Sequence, residues 1–299
     1  MYDIIVIGAG AAGLSGAIYT SRACLKTLVL GGDDSNLAKA NVIDNYFGFS
    51  ESVGGQELLN NGIIQAQKFG TEFVKDEVLG IGLIELEKPT FEIFTAITAY
   101  RCHAVLITTG SPLPQVKIPG IKDFEGRGVS YCVSCDGFFY RNAAVGVLGN
   151  RDYAFYEAFE LESFTSGITI YTNGEPLILS GDIAERSKRY RIVDKRILSL
   201  TGGELLSKIN FEDGTSENIS GLFVATERPS GIDFAKKLGV YLEDNRIVTD
   251  KNQKTNLKGI YAAGDCASEF KQVSVAVGQG AIAAHEIIQN IKHMKKDET

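Results

Sequence analysis

The sequence predicts an α/β fold of two Rossmann-like, three-layer ββα domains, one of them split around the other. Three observations predict it. A β-branched run followed by a glycine turn opens residues 2–20, a second such unit opens residues 144–163, and a late strand ending in Gly-Asp lies at 259–265. Two strand–glycine–helix units call for two parallel sheets. The late strand completes the first sheet from the far end of the chain. Residues 1–113 and 241–299 are therefore expected to form one discontinuous domain, with 114–240 inserted as the other.

The first unit reads element by element. Tyr2 to Ile7 is a short β-branched run, as expected of a strand buried on both faces. Gly8-Ala9-Gly10-Ala11-Ala12-Gly13 follows at once, and Leu14 to Ser21 continues as a small-residue helix. This is GxGxxG between strand and helix, the context in which it binds a dinucleotide. Gly8 permits the turn, Gly10 lets a pyrophosphate approach the backbone, and Gly13 lets the helix lie close to the sheet. The helix N-terminus supplies N–H donors to the phosphates. Lys26 to Leu30 is the second strand, ending in Gly31-Gly32-Asp33-Asp34, where Asp33 or Asp34 could reach a ribose. Ala104 to Gly110 is a strand closing on Thr108-Thr109-Gly110, and Gly259 to Asp265 is the late strand. Ser274 to Asn290 is a helix. An Asp at the end of the late strand, with a helix N-terminus after it, suits FAD better than NAD at this first loop.

Composition bounds the function. The chain has 299 residues, 44% of them apolar, which is a globular composition large enough for two cores. A net charge of −7 argues against nucleic acid and anionic membranes as partners. The chain opens on a strand with no charged-then-apolar leader and has no membrane-length apolar run, so a cytoplasmic location is expected.

Cys132-Val133-Ser134-Cys135-Asp136-Gly137 proposes the chemistry. Two thiols three residues apart can close a disulfide across one turn and move two electrons by thiol–disulfide exchange. Asp136 is placed to move the proton that exchange requires. Half of a zinc site is the competing reading, but zinc needs two further ligands. Cys24, Cys102 and Cys266 are isolated in sequence, and His103, His285 and His293 form no tight pair, so no metal is expected. The three isolated cysteines are expected to be buried as small hydrophobes.

These pieces, in this order, resemble the low-molecular-weight thioredoxin reductases over essentially the whole chain. The matching segments are 8–13, Asp44 to Phe49, 108–110, 132–140, 262–265 and Lys271-Gln272. The resemblance implies a split FAD-binding domain and an inserted domain carrying the CxxC. It implies electron flow from FAD to the Cys132–Cys135 disulfide and on to thioredoxin, with Cys135 nearest the flavin and Asp136 as acid/base. It implies FAD contacts at Gly8, Gly10, Ala11, Ala12, Gly13, Gly31, Gly32, Asn36, Leu37, Asn45, Thr109, Gly110, Gly264, Asp265, Lys271, Gln272 and Val273. A homodimer is implied as well.

The sequence departs from that family at its second glycine loop. Ala144 to Leu148 is a strand and Tyr153 to Ser163 a helix; between them the family carries GxGxxA for NADPH. Here Gly149 and Ala154 survive, but the middle glycine is Arg151, whose side chain obstructs a pyrophosphate. After the strand Ile168 to Tyr171 the family has a basic cluster for the 2′-phosphate, and this chain has Thr172-Asn173-Gly174-Glu175-Pro176. A phosphate monoester needs cationic donors, and Glu175 repels it. Thr226-Glu227-Arg228-Pro229 lacks the family's glycine before proline. The inserted domain is thus expected to be a degenerate nucleotide-binding fold. The pattern resembles the ferredoxin-dependent flavin thioredoxin reductases, with ferredoxin as the electron donor. Arg186 to Arg191 with Lys195 and Arg196 is the densest basic run, readable as a docking face for an acidic ferredoxin or as a solvated strand and turn; His293 to Lys296 is a second such segment. An NADPH-dependent enzyme with an unusual pocket and a dithiol redox sensor are the alternatives.

Overall fold

The computed structural model describes residues 1–31, 35–111, 116–226 and 229–296. Contacts divide the chain into two units, Met1–Pro112 with Ser230–Thr299, and Leu113–Pro229. The first unit thus resumes at Ser230 and not at 241. The helix Gly231–Leu238 is the reason, because it places Ile232, Phe234 and Ala235 in that unit's core. A capping box between Ser230 and Asp233 starts this helix, and Gly239, at φ +72, ends it.

In the first unit the strands Glu72–Val74, Thr27–Leu30, Tyr2–Ile7 and Ala99–Ile107 lie side by side in parallel. Ala99–Ile107 is a junction. Its first half pairs antiparallel with Thr90–Thr95, which pairs with Val78–Glu85, and its second half pairs in parallel with the late strand Ile260–Ala262. Ile4 and Val6 enter one core while Ile5 and Ile7 enter the other, as the two-residue period of a strand requires. With both faces covered, all four are buried, each worth about 1.5–3 kcal/mol of transfer free energy. The helices Ala11–Arg22 and Val273–Lys296 share the core that receives Ile4 and Val6, through Ala12, Ala17, Ala283 and Ile287. Their small residues allow close approach: a Cβ on Gly280 would lie 2.1 Å from the Ala12 carbonyl oxygen.

The second unit holds five parallel strands in the order Arg191–Val193, Ile168–Tyr171, Val145–Leu148, Gly221–Val224, Val129–Ser130. A three-stranded antiparallel sheet, Ile197–Gly202, Leu206–Phe211 and Ser216–Asn218, accompanies it. Leu148, Tyr171, Phe211 and Leu222 belong to its core. The short edge strand Val129–Ser130 delivers the chain directly into the CxxC turn. Among the described residues no helix is long and apolar enough to cross a membrane.

Candidate redox site and nucleotide loops

The first glycine loop has the shape its sequence requires. Gly8 adopts φ +111, and a Cβ there would lie 2.4 Å from the Thr108 carbonyl oxygen. A Cβ on Gly13 would lie 2.0 Å from the Gly8 carbonyl oxygen. Gly10 differs from both: a Cβ there would meet Ser35 Oγ at 3.7 Å, an ordinary contact. Glycine at position 10 is therefore not needed by the fold, which fits a position kept bare for a ligand. Gly10 is also the N-cap of the helix Ala11–Arg22, with no side-chain cap and no acidic residue in the first turn. Its N–H groups are left for an anion.

Several of the other first-unit positions are held by local and long-range hydrogen bonds. Gly31 faces the loop, where a Cβ would meet the Ala9 nitrogen at 2.9 Å. Asn36 and Leu37 lie in the turn that follows, with Leu37 N–H donating to Ser35 Oγ at 3.2 Å. Asn45 Nδ2 donates to Gln272 Oε1 at 2.9 Å, which joins two positions far apart in sequence. Ser111 Oγ donates to Asp265 Oδ2 at 3.3 Å, and Gly264 N–H donates to Gln279 Oε1 at 2.8 Å. Thr109 Oγ1 accepts from Gly231 N–H at 2.8 Å, and Gly110 adopts φ +76. Lys271 is exposed, and Val273 begins the long helix. Nothing in the sequence pointed to Ser111 or Gln279; Thr108, within the expected strand-end turn, places its hydroxyl 3.0 and 2.9 Å from the Ile7 and Gly8 carbonyl oxygens. Gly32, Asp33 and Asp34 lie outside the described residues.

In the second unit Cys132 and Cys135 form a disulfide with Cα atoms 5.3 Å apart. Cys132 is buried and Cys135 exposed. Cys132 is the N-cap of the turn Val133–Asp136, and its Sγ accepts the Cys135 N–H at 3.2 Å. Three further groups hold this turn. Ser130 Oγ donates to Asp136 Oδ2 at 2.6 Å, Cys132 N–H donates to Ser130 Oγ at 3.1 Å, and Val133 N–H donates to Glu157 Oε2 at 3.3 Å. Glu157 is 2% exposed, a buried carboxylate beneath the redox turn that nothing in the motif announces. Burial, and then the nearby Asp136 charge, raise the Tyr140 phenol above its ordinary pKa. Phe138 and Phe139, directly after the turn, are both exposed. Among the described residues no cluster of His, Cys, Asp or Glu could hold a metal.

The second glycine loop keeps the backbone form and loses the vacancy. A Cβ on Gly149 would lie 2.2 Å from the Ala225 carbonyl oxygen, the counterpart of the Gly8 contact. Arg151 is the N-cap of the helix Asp152–Leu161, and Asp152 stands in its first turn. The Asp152 carboxylate accepts the Ser180 N–H at 2.9 Å and the Ser180 hydroxyl at 2.5 Å. Asn150 Nδ2 donates to the Pro176 carbonyl at 2.8 Å, Ile178 N–H donates to the Asn150 carbonyl at 2.9 Å, and Arg151 forms a parallel bridge with Ile178. Segment 176–180 thus lies along this loop. Glu175 is exposed, and the buried Thr172 hydroxyl has no hydrogen-bond partner. Glu227 and Arg228 lie outside the described residues.

Four residues of the basic run are ion-paired within their own unit. Lys188 meets Glu185 at 2.7 Å, Arg189 meets Glu162 at 2.6 Å, Arg191 meets Glu217 at 2.5 Å and Lys195 meets Asp213 at 2.8 Å. Arg186 lies 3.7 Å from the centre of the Phe159 ring. In the first unit Lys295 pairs with Asp3 at 2.7 Å. Of the isolated cysteines, Cys102 and Cys266 are buried as expected, but Cys24 is exposed. Cys24 sits just past the end of the helix Ala11–Arg22 at φ +61, where the chain turns at the surface.

The pyridine nucleotide-disulphide oxidoreductase family matches residues 2–280. A thioredoxin reductase of Treponema pallidum is 35% identical over 301 residues, covering 95% of each chain. This chain belongs to the low-molecular-weight flavin thioredoxin reductases. Like the family, it is an FAD-binding flavoprotein. An atypical thioredoxin reductase, TRi, from Desulfovibrio vulgaris Hildenborough superposes with a TM-score of 0.93 at 40% identity, covering 98% of this chain and 99% of that one. A ferredoxin-flavin thioredoxin reductase from Clostridium acetobutylicum superposes at 0.70 with 28% identity, covering 98% of each.

Proposed function

We propose that this thioredoxin reductase draws its electrons from a reduced ferredoxin and not from NADPH. The observation that carries the reading is the contrast between two helix N-termini in one chain. The Ala11–Arg22 helix begins on a bare glycine with no acid in its first turn. The Asp152–Leu161 helix begins on Arg151, carries Asp152 in its first turn, and is bonded to segment 176–180. A carboxylate at that end offsets the positive potential that a pyrophosphate would use, and its bonds to Ser180 hold segment 176–180 beside the loop. The strand end beyond it offers Glu175 where a 2′-phosphate needs cations. Likeness to the ferredoxin-flavin enzyme of Clostridium acetobutylicum adds to this.

FAD, when bound, collects electrons and delivers them as a pair to a disulfide. Gly8, Gly10, Ala11, Ala12 and Gly13 would hold its pyrophosphate. Asn45 with Gln272, Asp265, and the start of the Val273–Lys296 helix would hold the rest. Cys132 and Cys135 then carry the pair to the thioredoxin disulfide. Asp136 exchanges the proton as acid/base, and the protein works as a homodimer. The Arg186–Arg196 run is not offered as the ferredoxin face, since local carboxylates pair with Lys188, Arg189, Arg191 and Lys195.

The second reading, NADPH as donor, has the retained Gly149 and Ala154 and the cation Arg151 in its favour. Isothermal titration of the oxidised holoprotein with NADPH separates the two. No heat of binding is expected up to millimolar nucleotide. Saturable binding in the micromolar range would reverse the choice of donor.

A further inference from the structure

We propose that Ser130 is a positioning residue that lets Asp136 take up and give back a proton without leaving its place. The inference rests on Asp136 being the acid/base of the exchange reaction. Ser130 closes the edge strand just before the redox turn and is 5% exposed. Its hydroxyl touches both ends of that turn. It accepts the Cys132 N–H at 3.1 Å and donates to Asp136 Oδ2 at 2.6 Å, and the Cys132 carbonyl oxygen stands 3.3 Å away as a second acceptor.

A serine hydroxyl has one proton and two lone pairs. The Cys132 N–H occupies one lone pair throughout. While Asp136 is ionised, the hydroxyl proton points to Oδ2. When Asp136 is protonated, Asp136 donates to the second lone pair, and the hydroxyl proton turns to the Cys132 carbonyl. Both protonation states of Asp136 therefore keep a full set of hydrogen bonds with no heavy atom displaced. A buried polar group stripped of its partner costs about 1–3 kcal/mol, so an acid/base that kept only one state satisfied would resist the other.

The chemistry needs both states. One thiolate of the reduced Cys132/Cys135 pair attacks a sulfur of the target disulfide. An S–S bond forms between the proteins, the target S–S bond breaks, and the departing thiolate takes a proton from Asp136. The remaining thiol gives its proton to Asp136 and attacks the mixed disulfide. The Cys132–Cys135 bond re-forms and the second target sulfur leaves as a thiolate, which takes that proton from Asp136. Two electrons have passed from the dithiol to the target, with one proton from the remaining thiol and one from Asp136, which is left ionised and takes a proton back from solvent.

The test compares two disulfides with anaerobically pre-reduced holoprotein, which removes the electron donor from the measurement. Oxidised thioredoxin releases alkyl thiolates that must be protonated. The aryl disulfide DTNB releases a thiolate that leaves unprotonated, and exchange rates depend on the leaving thiol. Ser130→Ala is expected to slow exchange with thioredoxin about tenfold, the effect of losing roughly one hydrogen bond to a charged group. It should shift the pH profile of that reaction and leave the release of the first aryl thiolate from DTNB unchanged, because that step needs no proton from Asp136. Ser130→Thr should restore the rate, and Ser130→Ala in an Asp136→Asn background should add nothing. Equal slowing with both disulfides would mean a distorted turn and would overturn the proposal, as would multiplying losses in the double variant. Asp136→Asn exchanging at the normal rate would instead remove Asp136 from the mechanism, and the role of Ser130 with it.

Discussion

Asp152 accepts two hydrogen bonds from Ser180, one from its backbone N–H and one from its hydroxyl. This pair closes the second glycine loop with the protein's own carboxylate and its own chain. At the first loop Gly10 leaves the matching space open. The two loops share a fold and differ in what fills them.

That difference can be transplanted. Gly10→Arg copies Arg151 into the first loop, and its Cβ has room. The variant is expected to fold with unchanged far-ultraviolet dichroism and to lose bound flavin, with affinity down at least tenfold, or about 1.4 kcal/mol. A normal ratio of flavin to protein absorbance would show that position 10 does not face the cofactor.

Either cysteine of the redox pair should be essential. Cys135→Ser is expected to fold and keep FAD while thioredoxin reduction falls to background, because a single thiol cannot resolve a mixed disulfide. Turnover of thioredoxin by that variant would break the scheme.

Thiol labelling should follow burial. Cys102 and Cys266 are buried, and burial pushes the Cys266 thiol up to about 12. Cys24 is exposed. Oxidised native protein at pH 8 should therefore react rapidly at Cys24 alone, and at Cys102 and Cys266 only after denaturation. Fast native labelling of Cys102 or Cys266, read by peptide mass mapping, would contradict the packing.

Glu217 links Arg191 to Tyr171 in the second unit. The Arg191 hydrogen bond lowers the Glu217 pKa. Burial first, and then the bond to Glu217, raise the Tyr171 phenol above its ordinary range. The Glu217 contribution is present above the unfolded carboxyl pKa of about 4.3 and is lost as pH falls through the folded value. The Tyr171 contribution is present below about pH 10 and is lost as pH rises through the folded value. Glu217→Gln should cost about 0.5–1 kcal/mol at pH 7, because Arg191 is largely exposed, and should flatten the acid limb of Tm against pH. An unchanged acid limb would show that the bond is not populated in solution.

The motifs made most of this legible. Gly8 and Gly13 are fixed by backbone contacts a side chain would violate, so their spacing encodes a shape. Cys132, Cys135 and Asp136 share one turn, so their relation is local. What escaped depends on long-range approach. Ser130 reaches Asp136 only because an edge strand ends at the turn, and Glu157 reaches Val133 from a helix 24 residues away. The Asn45–Gln272 bond spans 227 residues. The domain edge near 230 was hidden because the helix Gly231–Leu238 carries an ordinary amphipathic pattern, with nothing to say which core receives it. Arg151 announced an altered loop, but the occupancy of that loop by segment 176–180 depended on pairing across two turns.

The most direct measurement is the anaerobic stopped-flow bleaching of the flavin in the oxidised holoprotein, mixed in turn with NADPH and with chemically reduced ferredoxin. Bleaching by ferredoxin in two one-electron phases is expected, followed by catalytic reduction of thioredoxin, with no bleaching by NADPH on the timescale of turnover. Rapid bleaching by NADPH would contradict this scheme. Bleaching by ferredoxin with no turnover of thioredoxin would point instead to a dithiol sensor.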